Sequence, residues 1–92
     1  MIKSFKHKGL EKIFFSGIKK GIIPEHGGKL ARILDRPHAA NDLNDMNYPG
    51  ANLHALIGDR QGQYAVKVSR NWRVIFKFEG GDAYVIDYVD YH

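Results

Sequence analysis

The sequence ends in Asp90-Tyr91-His92, which sets a carboxyl, a phenol and an imidazole side by side. These groups suit proton transfer, because an imidazole titrates at a pKa of about 6.5, close to neutrality. With the chain ending there, the free carboxylate beside His92 is expected to favour its imidazolium form. The tripeptide closes an apolar, aromatic-rich run that reads as a central strand. Such a strand does not need polar groups at its end for folding. Cations are the second chemical feature. Lys67, Arg73 and Lys77 alternate with apolar neighbours, and Arg60 and Arg70 lie in the flanking turns. If the alternation is that of strands, these five residues share one surface. That surface suits the tracking of a phosphate backbone. A solvated face whose lysines protect a sheet edge is the plain alternative.

The elements that must hold these residues follow from the pattern. In NWRVIFKFE, residues 71–79, Trp72, Val74, Phe76 and Phe78 fall on one face and Arg73, Ile75 and Lys77 on the other. Gly80-Gly81 predicts a tight hairpin into the last run. Gln63 to Ser69 alternates as well, with Tyr64, Val66 and Val68 together and Lys67 opposed. Asn52 to Ile57 reads as a further strand, and 58–62 as the connecting loop. Upstream, Leu10, Ile13 and Phe14 mark a helix over Lys8 to Ser16, broken by Gly17 and Gly21. A second helix begins at Pro24, carries Leu30, Ile33 and Leu34, and is expected to end at Pro37. Ile2 to Phe5 is a short first strand. His38 to Gly50 reads as loop, with one helical turn near Ala40 to Leu43. The expected fold class is α+β: a short N-terminal strand and two helices on one face of a mostly antiparallel β-sheet.

The 92 residues are expected to form one domain, 1–92. A hydrophobic content of 43% is enough for a packed core, and a wholly disordered chain is excluded. The sequence has no cysteine, so no disulfide holds it. No run approaches the roughly 20 apolar residues of a membrane span. The start, MIKSFKHKGL, lacks an apolar signal core, so a cytoplasmic protein is expected. A net charge of +4 favours a polyanionic partner, although a generic basic protein shares it.

The stretch LHALIGDRQGQYAVKVSRNWRVIFKFEGGDAYVIDYVDYH, residues 53–92, closely resembles the C-terminal half of HigB toxins, and MIKSFKHKGLEKIF resembles their start. The most specific pieces are LH at 53–54, GDR at 58–60, NWR at 71–73, GDAY at 81–84 and the terminal DYH. The resemblance covers nearly the whole chain and is weakest from Ile18 to Ala51. It implies the RelE-like fold and the toxin half of a bacterial type II toxin–antitoxin pair. Such toxins are ribosome-dependent endoribonucleases that cut mRNA in the ribosomal A site. It also implies a helix-turn-helix HigA-type antitoxin as partner, a monomer when free and a heterotetramer with antitoxin. No cofactor, metal or membrane is implied.

Metal-independent RNA cleavage uses the ribose 2′-OH as nucleophile. It needs a base for that hydroxyl, a cation for the phosphorane and an acid for the 5′ oxygen. His54 matches the histidine of the family's LH pattern, and Arg73 the arginine that meets the scissile phosphate. Asp90, Tyr91 and His92 match the terminal site residues. Acid and base stay unassigned between His54 and His92. Arg60, Lys67, Arg70 and Lys77 are expected to bind RNA and ribosome. His7, His26 and His38 match no site motif and read as surface histidines. Family sequences commonly read HPLKGDR where this chain reads HALIGDR, so Ile57 stands in place of a lysine and a milder toxin is expected. The competing reading is a ParE-type DNA gyrase inhibitor of the same fold with no RNA cleavage. A nonenzymatic RNA-binding module is a third.

Overall fold

The computed structural model describes all residues except 40, 41 and 92. The elements run α1 (Lys8–Ser16), a 3-10 turn (Pro24–His26), α2 (Gly27–Ala39), a 3-10 turn (Leu43–Met46), β1 (His54–Ala55), a 3-10 turn (Gly58–Arg60), β2 (Gln63–Lys67), β3 (Trp72–Glu79) and β4 (Asp82–Asp90). The four strands form an antiparallel meander in the order β1-β2-β3-β4. One face carries the helices. Leu10 and Ile13 of α1 and Leu30, Ile33 and Leu34 of α2 pack with Val66, Val74, Phe76, Ala83, Ile86 and Tyr88 in one buried cluster. The expected α+β architecture is the one observed.

Local chemistry sets the element ends. The His7 side chain caps α1, accepting from the N–H groups of Gly9 at 3.1 Å and Leu10 at 3.3 Å. Gly17, at φ +69°, ends the helix in the left-handed conformation that glycine tolerates. Gly80 and Gly81, at φ +57° and +83°, close the β3–β4 hairpin with both central residues at positive φ, as a type I′ turn requires.

Four expectations change. The helix predicted from Pro24 opens as a separate 3-10 turn, and α2 runs past Pro37 to Ala39. Proline removes one backbone donor there, but the buried stripe of Leu30, Ile33 and Leu34 holds the helix to the sheet. The strand predicted over Asn52 to Ile57 shrinks to His54–Ala55, because Asn52 sits at φ +49°, off the extended region, and Gly58 begins a turn. The N-terminal strand is reduced to two isolated parallel bridges, Ile2 to Ala83 and Phe5 to Ile86. The helical turn lies at Leu43–Met46, capped by Asp42 and Asp45; the expectation near Ala40 falls partly outside the described residues.

The N-terminal segment meets an irregularity in β4. Ile75 faces Asp87 and Lys77 faces Tyr84, so β4 carries one residue more than β3 across this interval. The bulge lets Ala83 and Ile86, three apart, both turn to the core. Val85 takes up the excess at φ +47°, an uncommon conformation for a β-branched side chain. Its N–H donates to Ser4 Oγ at 2.8 Å.

Gly80→Ala is expected to lower stability by about 1 kcal/mol, the left-handed backbone cost of a β-carbon, since no atom lies within 4 Å of the added group. Thermal unfolding should show a midpoint lower by roughly 4–8 °C. An unchanged midpoint would show that the turn does not hold this geometry.

Candidate active site on the basic sheet face

Strand register decides what shares the second face. Lys67 pairs with Arg73 and Arg73 with Val89; Gln63 pairs with Lys77 and Lys77 with Tyr84. Between these rows runs His54, Ala65, Ile75 and Asp87. Paired residues point to the same side, so Lys67, Arg73, Lys77 and His54 stand together, away from the helices. The face is not wholly polar. Ala65 and Ile75 are fully buried although they lie outside the helix-side core cluster. They form an apolar floor flanked by the long side chains of the two cationic rows.

His54 is exposed at the start of edge strand β1. Its Nδ1 lies 2.9 Å from the carbonyl oxygen of Asn52. A carbonyl only accepts, so Nδ1 carries the proton and Nε2 keeps its lone pair when the ring is neutral. The left-handed Asn52, at φ +49°, aims that carbonyl. Asparagine tolerates this backbone better than most residues.

Arg73 is half-buried, and its guanidinium is held by backbone. Nη1 donates to Ser69 O at 2.7 Å, Trp72 O at 3.0 Å and Arg70 O at 3.3 Å. The guanidinium carbon lies 5.3 Å from the centre of the Tyr91 ring. Among the described residues Arg73 meets no carboxylate, since the ion pairs there are Met1–Asp82 and Lys6–Asp87. Carbonyl oxygens orient a guanidinium without neutralising it, which leaves a full positive charge for a phosphate.

Tyr91 joins this group through its backbone as well, its N–H donating to Asn71 O. Asp90 does not face the same way. It pairs with Trp72, whose side chain packs on the core, so alternation sends Asp90 toward the helix side and Tyr91 toward the basic side. His92 lies outside the described residues. His54 and Arg73 share the face but do not touch. Two strand spacings separate them, roughly 10 Å in the hydrogen-bonding direction. Arg60 and Arg70 are exposed in the flanking turns, Lys77 is exposed on β3, and Lys67 is half-buried. Among the described residues no three His, Cys, Asp or Glu side chains gather as a metal site would require, and no helix is long and apolar enough to cross a membrane.

Two histidines read as surface residues are structural. His7 is the half-buried cap of α1. His26 is half-buried, with Nδ1 2.5 Å from the Tyr88 hydroxyl. Burial pushes the Tyr88 phenol above its ordinary pKa against the opposing effect of the Ile23 backbone N–H, and the nearby Asp90 charge adds to the rise. The signal for this pair was the placement of Tyr88 on the core face, since a buried hydroxyl needs a partner. His38 is exposed, 5.1 Å from Phe14 in an edge contact.

Two helices on one face of an antiparallel sheet, with cations and an outward imidazole on the other, define a RelE-like α+β protein. Residues 3–92 match the HigB-like toxin family, described as RelE-like toxins of the type II toxin–antitoxin system HigB. The chain is 40% identical over 92 residues, the full length of both proteins, to an endoribonuclease HigB of Proteus vulgaris. It is 33% identical over 64 residues, 68% of this chain and 62% of the relative, to an uncharacterized protein of Haemophilus influenzae. The chain belongs to the HigB-like toxin family.

The His54 geometry has a direct spectroscopic consequence. In the neutral protein, nitrogen-15 spectra of the imidazoles should show His54 with its proton on Nδ1 and a bare Nε2. A His54 ring protonated on Nε2 alone would remove the basis for its role as a base.

Proposed function

We propose that this chain is the toxin of a type II toxin–antitoxin pair and acts as an endoribonuclease on mRNA in the ribosomal A site. The observation that carries the reading is the His54 ring: its Nδ1 is tied to the Asn52 carbonyl and its Nε2 is left as a base, on the face that carries Arg73. The full-length likeness to a HigB endoribonuclease supports the same chemistry.

His54 Nε2 takes the proton of the 2′-OH as O2′ forms its bond to phosphorus. Arg73 donates its remaining N–H groups to the phosphorane oxygens, where negative charge grows. The P–O5′ bond breaks, and the leaving oxygen takes a proton from His92. With His54 as base, His92 is the other imidazole of the motif set, and an imidazolium has the pKa range such an acid needs. The products are a 2′,3′-cyclic phosphate and a 5′-hydroxyl end. Tyr91, beside Arg73, supports the guanidinium and offers its ring to a base. Asp90 orients the end of the chain. Arg60, Lys67, Arg70 and Lys77 hold ribosomal and messenger RNA by their charge. His54 and Arg73 stand apart and convert no RNA alone; the ribosome supplies the bent message that spans them. The antitoxin is of the HigA type, the free toxin a monomer, the complex a heterotetramer, and the site of action the cytoplasm. A gyrase inhibitor has no use for a tethered imidazole base, and that reading is not favoured.

In a purified translating system, primer extension should reveal cuts at codon-phased positions with wild-type protein and none on naked RNA. His54→Ala and Arg73→Ala should each lower the cutting rate by about 10²- to 10⁴-fold. Growth inhibition without cuts would move the reading to gyrase. Ile57 is 89% exposed, so a lysine there would meet solvent or RNA and no core. Ile57→Lys is expected to raise toxicity at equal protein level and to steepen the salt dependence of ribosome binding by roughly one phosphate contact. Unaltered salt dependence would end this account of position 57.

A further inference from the structure

Tyr88 and His26 lie behind the sheet, on the helix side, yet their contacts lead to Arg73. The Tyr88 ring stacks on Trp72 with centroids 4.4 Å apart and planes 26° from parallel. His26 stands edge-on to both, its ring centre 6.0 Å from Trp72 and 6.0 Å from Tyr88. His7 closes the other side of Tyr88, edge-on at 5.5 Å. The Tyr88 hydroxyl lies 2.5 Å from His26 Nδ1, a hydrogen bond from β4 to the Pro24–His26 turn. Tyr88 and His26 thereby hold Trp72 against the Pro24–His26 turn, and Tyr88 itself meets His7 at the start of α1.

The peptide of Trp72 then works on the opposite face. Its carbonyl accepts from Val68 N–H at 3.0 Å, Ser69 N–H at 3.3 Å and Arg73 Nη1 at 3.0 Å. The other two carbonyls on Arg73, those of Ser69 and Arg70, belong to the turn that these bonds close. Fixing the indole therefore fixes the cradle of the guanidinium. Core packing alone does not need the Tyr88 hydroxyl. A phenylalanine would fill the same volume and stack on Trp72, whereas a buried hydroxyl costs stability unless it is bonded. What the hydroxyl adds is a directional tie from the end of the sheet to the helical layer.

We propose that His26 and Tyr88 are positioning residues for Arg73, clamping Trp72 so that the guanidinium is held ready for phosphate. This rests on the endoribonuclease reading above. Neither side chain reaches the basic face, so neither touches substrate.

The test compares wild type with Tyr88→Phe, His26→Ala and His26→Asn. The asparagine amide branches from Cγ as the imidazole does and offers either an oxygen or an N–H at the position of Nδ1, so it restores a hydrogen-bond partner for the Tyr88 hydroxyl. Arg73 guanidinium signals, followed by nitrogen-15 spectroscopy, should be distinct and slow in wild type and His26→Asn, and averaged in Tyr88→Phe and His26→Ala. Cleavage at saturating ribosome should fall by about 10- to 100-fold in the two clamp-breaking variants and recover in His26→Asn, with ribosome affinity within twofold. Trp72 is the sole tryptophan, so its emission checks that each variant is folded at the assay temperature. Arg73 signals or turnover unchanged in folded Tyr88→Phe would overturn the proposal. If wild type cuts nothing, the endoribonuclease reading falls, while the Arg73 signals still decide whether the clamp exists.

Discussion

A β-strand sends successive side chains to opposite faces, and this chain makes one strand serve two purposes under that constraint. Within β3, Trp72, Val74 and Phe76 turn to the helices, and Arg73, Ile75 and Lys77 to the other side. No residue of the strand can be moved to improve one face without displacing the other, since a slip of one position would bury the cations and expose the aromatics. The bulge at Val85 is where β4 meets this demand. It inserts one residue, returns Ile86 to the core and keeps Asp87 in line with Ile75. The uncommon backbone at Val85 goes with that register.

The chemical face is organised mainly by main-chain atoms. His54 is oriented by one carbonyl, Arg73 by three, and Tyr91 by its own amide. A carboxylate would hold an arginine more strongly, but it would also compete with a phosphate for the same fork. Carbonyls set direction and leave the charge unspent. The buried Ala65 and Ile75 beneath the cationic rows act in the same sense. They supply a dry, rigid base for long side chains that would otherwise sample many rotamers.

The parts legible in the sequence were those with a local signal. Period-two alternation fixed the faces of β2 and β3, Gly80-Gly81 fixed the hairpin, and the i, i+3, i+4 stripe fixed α1. The grouping of Lys67, Arg73 and Lys77 followed from alternation alone. Other features depend on contacts between distant residues. The short β1 depends on Asn52, whose left-handed backbone has no unique sequence mark. The continuation of α2 past Pro37 is a tertiary override of a local rule. The opposed directions of Asp90 and Tyr91 require the register with Trp72. His26 looked like any solvated imidazole until Tyr88, 62 residues away, was placed against it.

The N-terminal edge has a consequence for how the chain comes to be folded. Ser4 and Val85 are joined across 81 residues, and the bridges of Ile2 and Phe5 to β4 span the same separation. During synthesis the segment of Ile2 to Phe5 must wait for β4, its only sheet neighbour among the described residues. Contacts of such long separation form late and cost the most chain entropy. A growing chain therefore carries its α1 and α2 sequences until β4 is made with the sheet that they cover still incomplete. Arg73 lacks its Tyr91 neighbour until β4 has been made. The chain order itself thus delays assembly of the basic face until β4 and Tyr91 have been made.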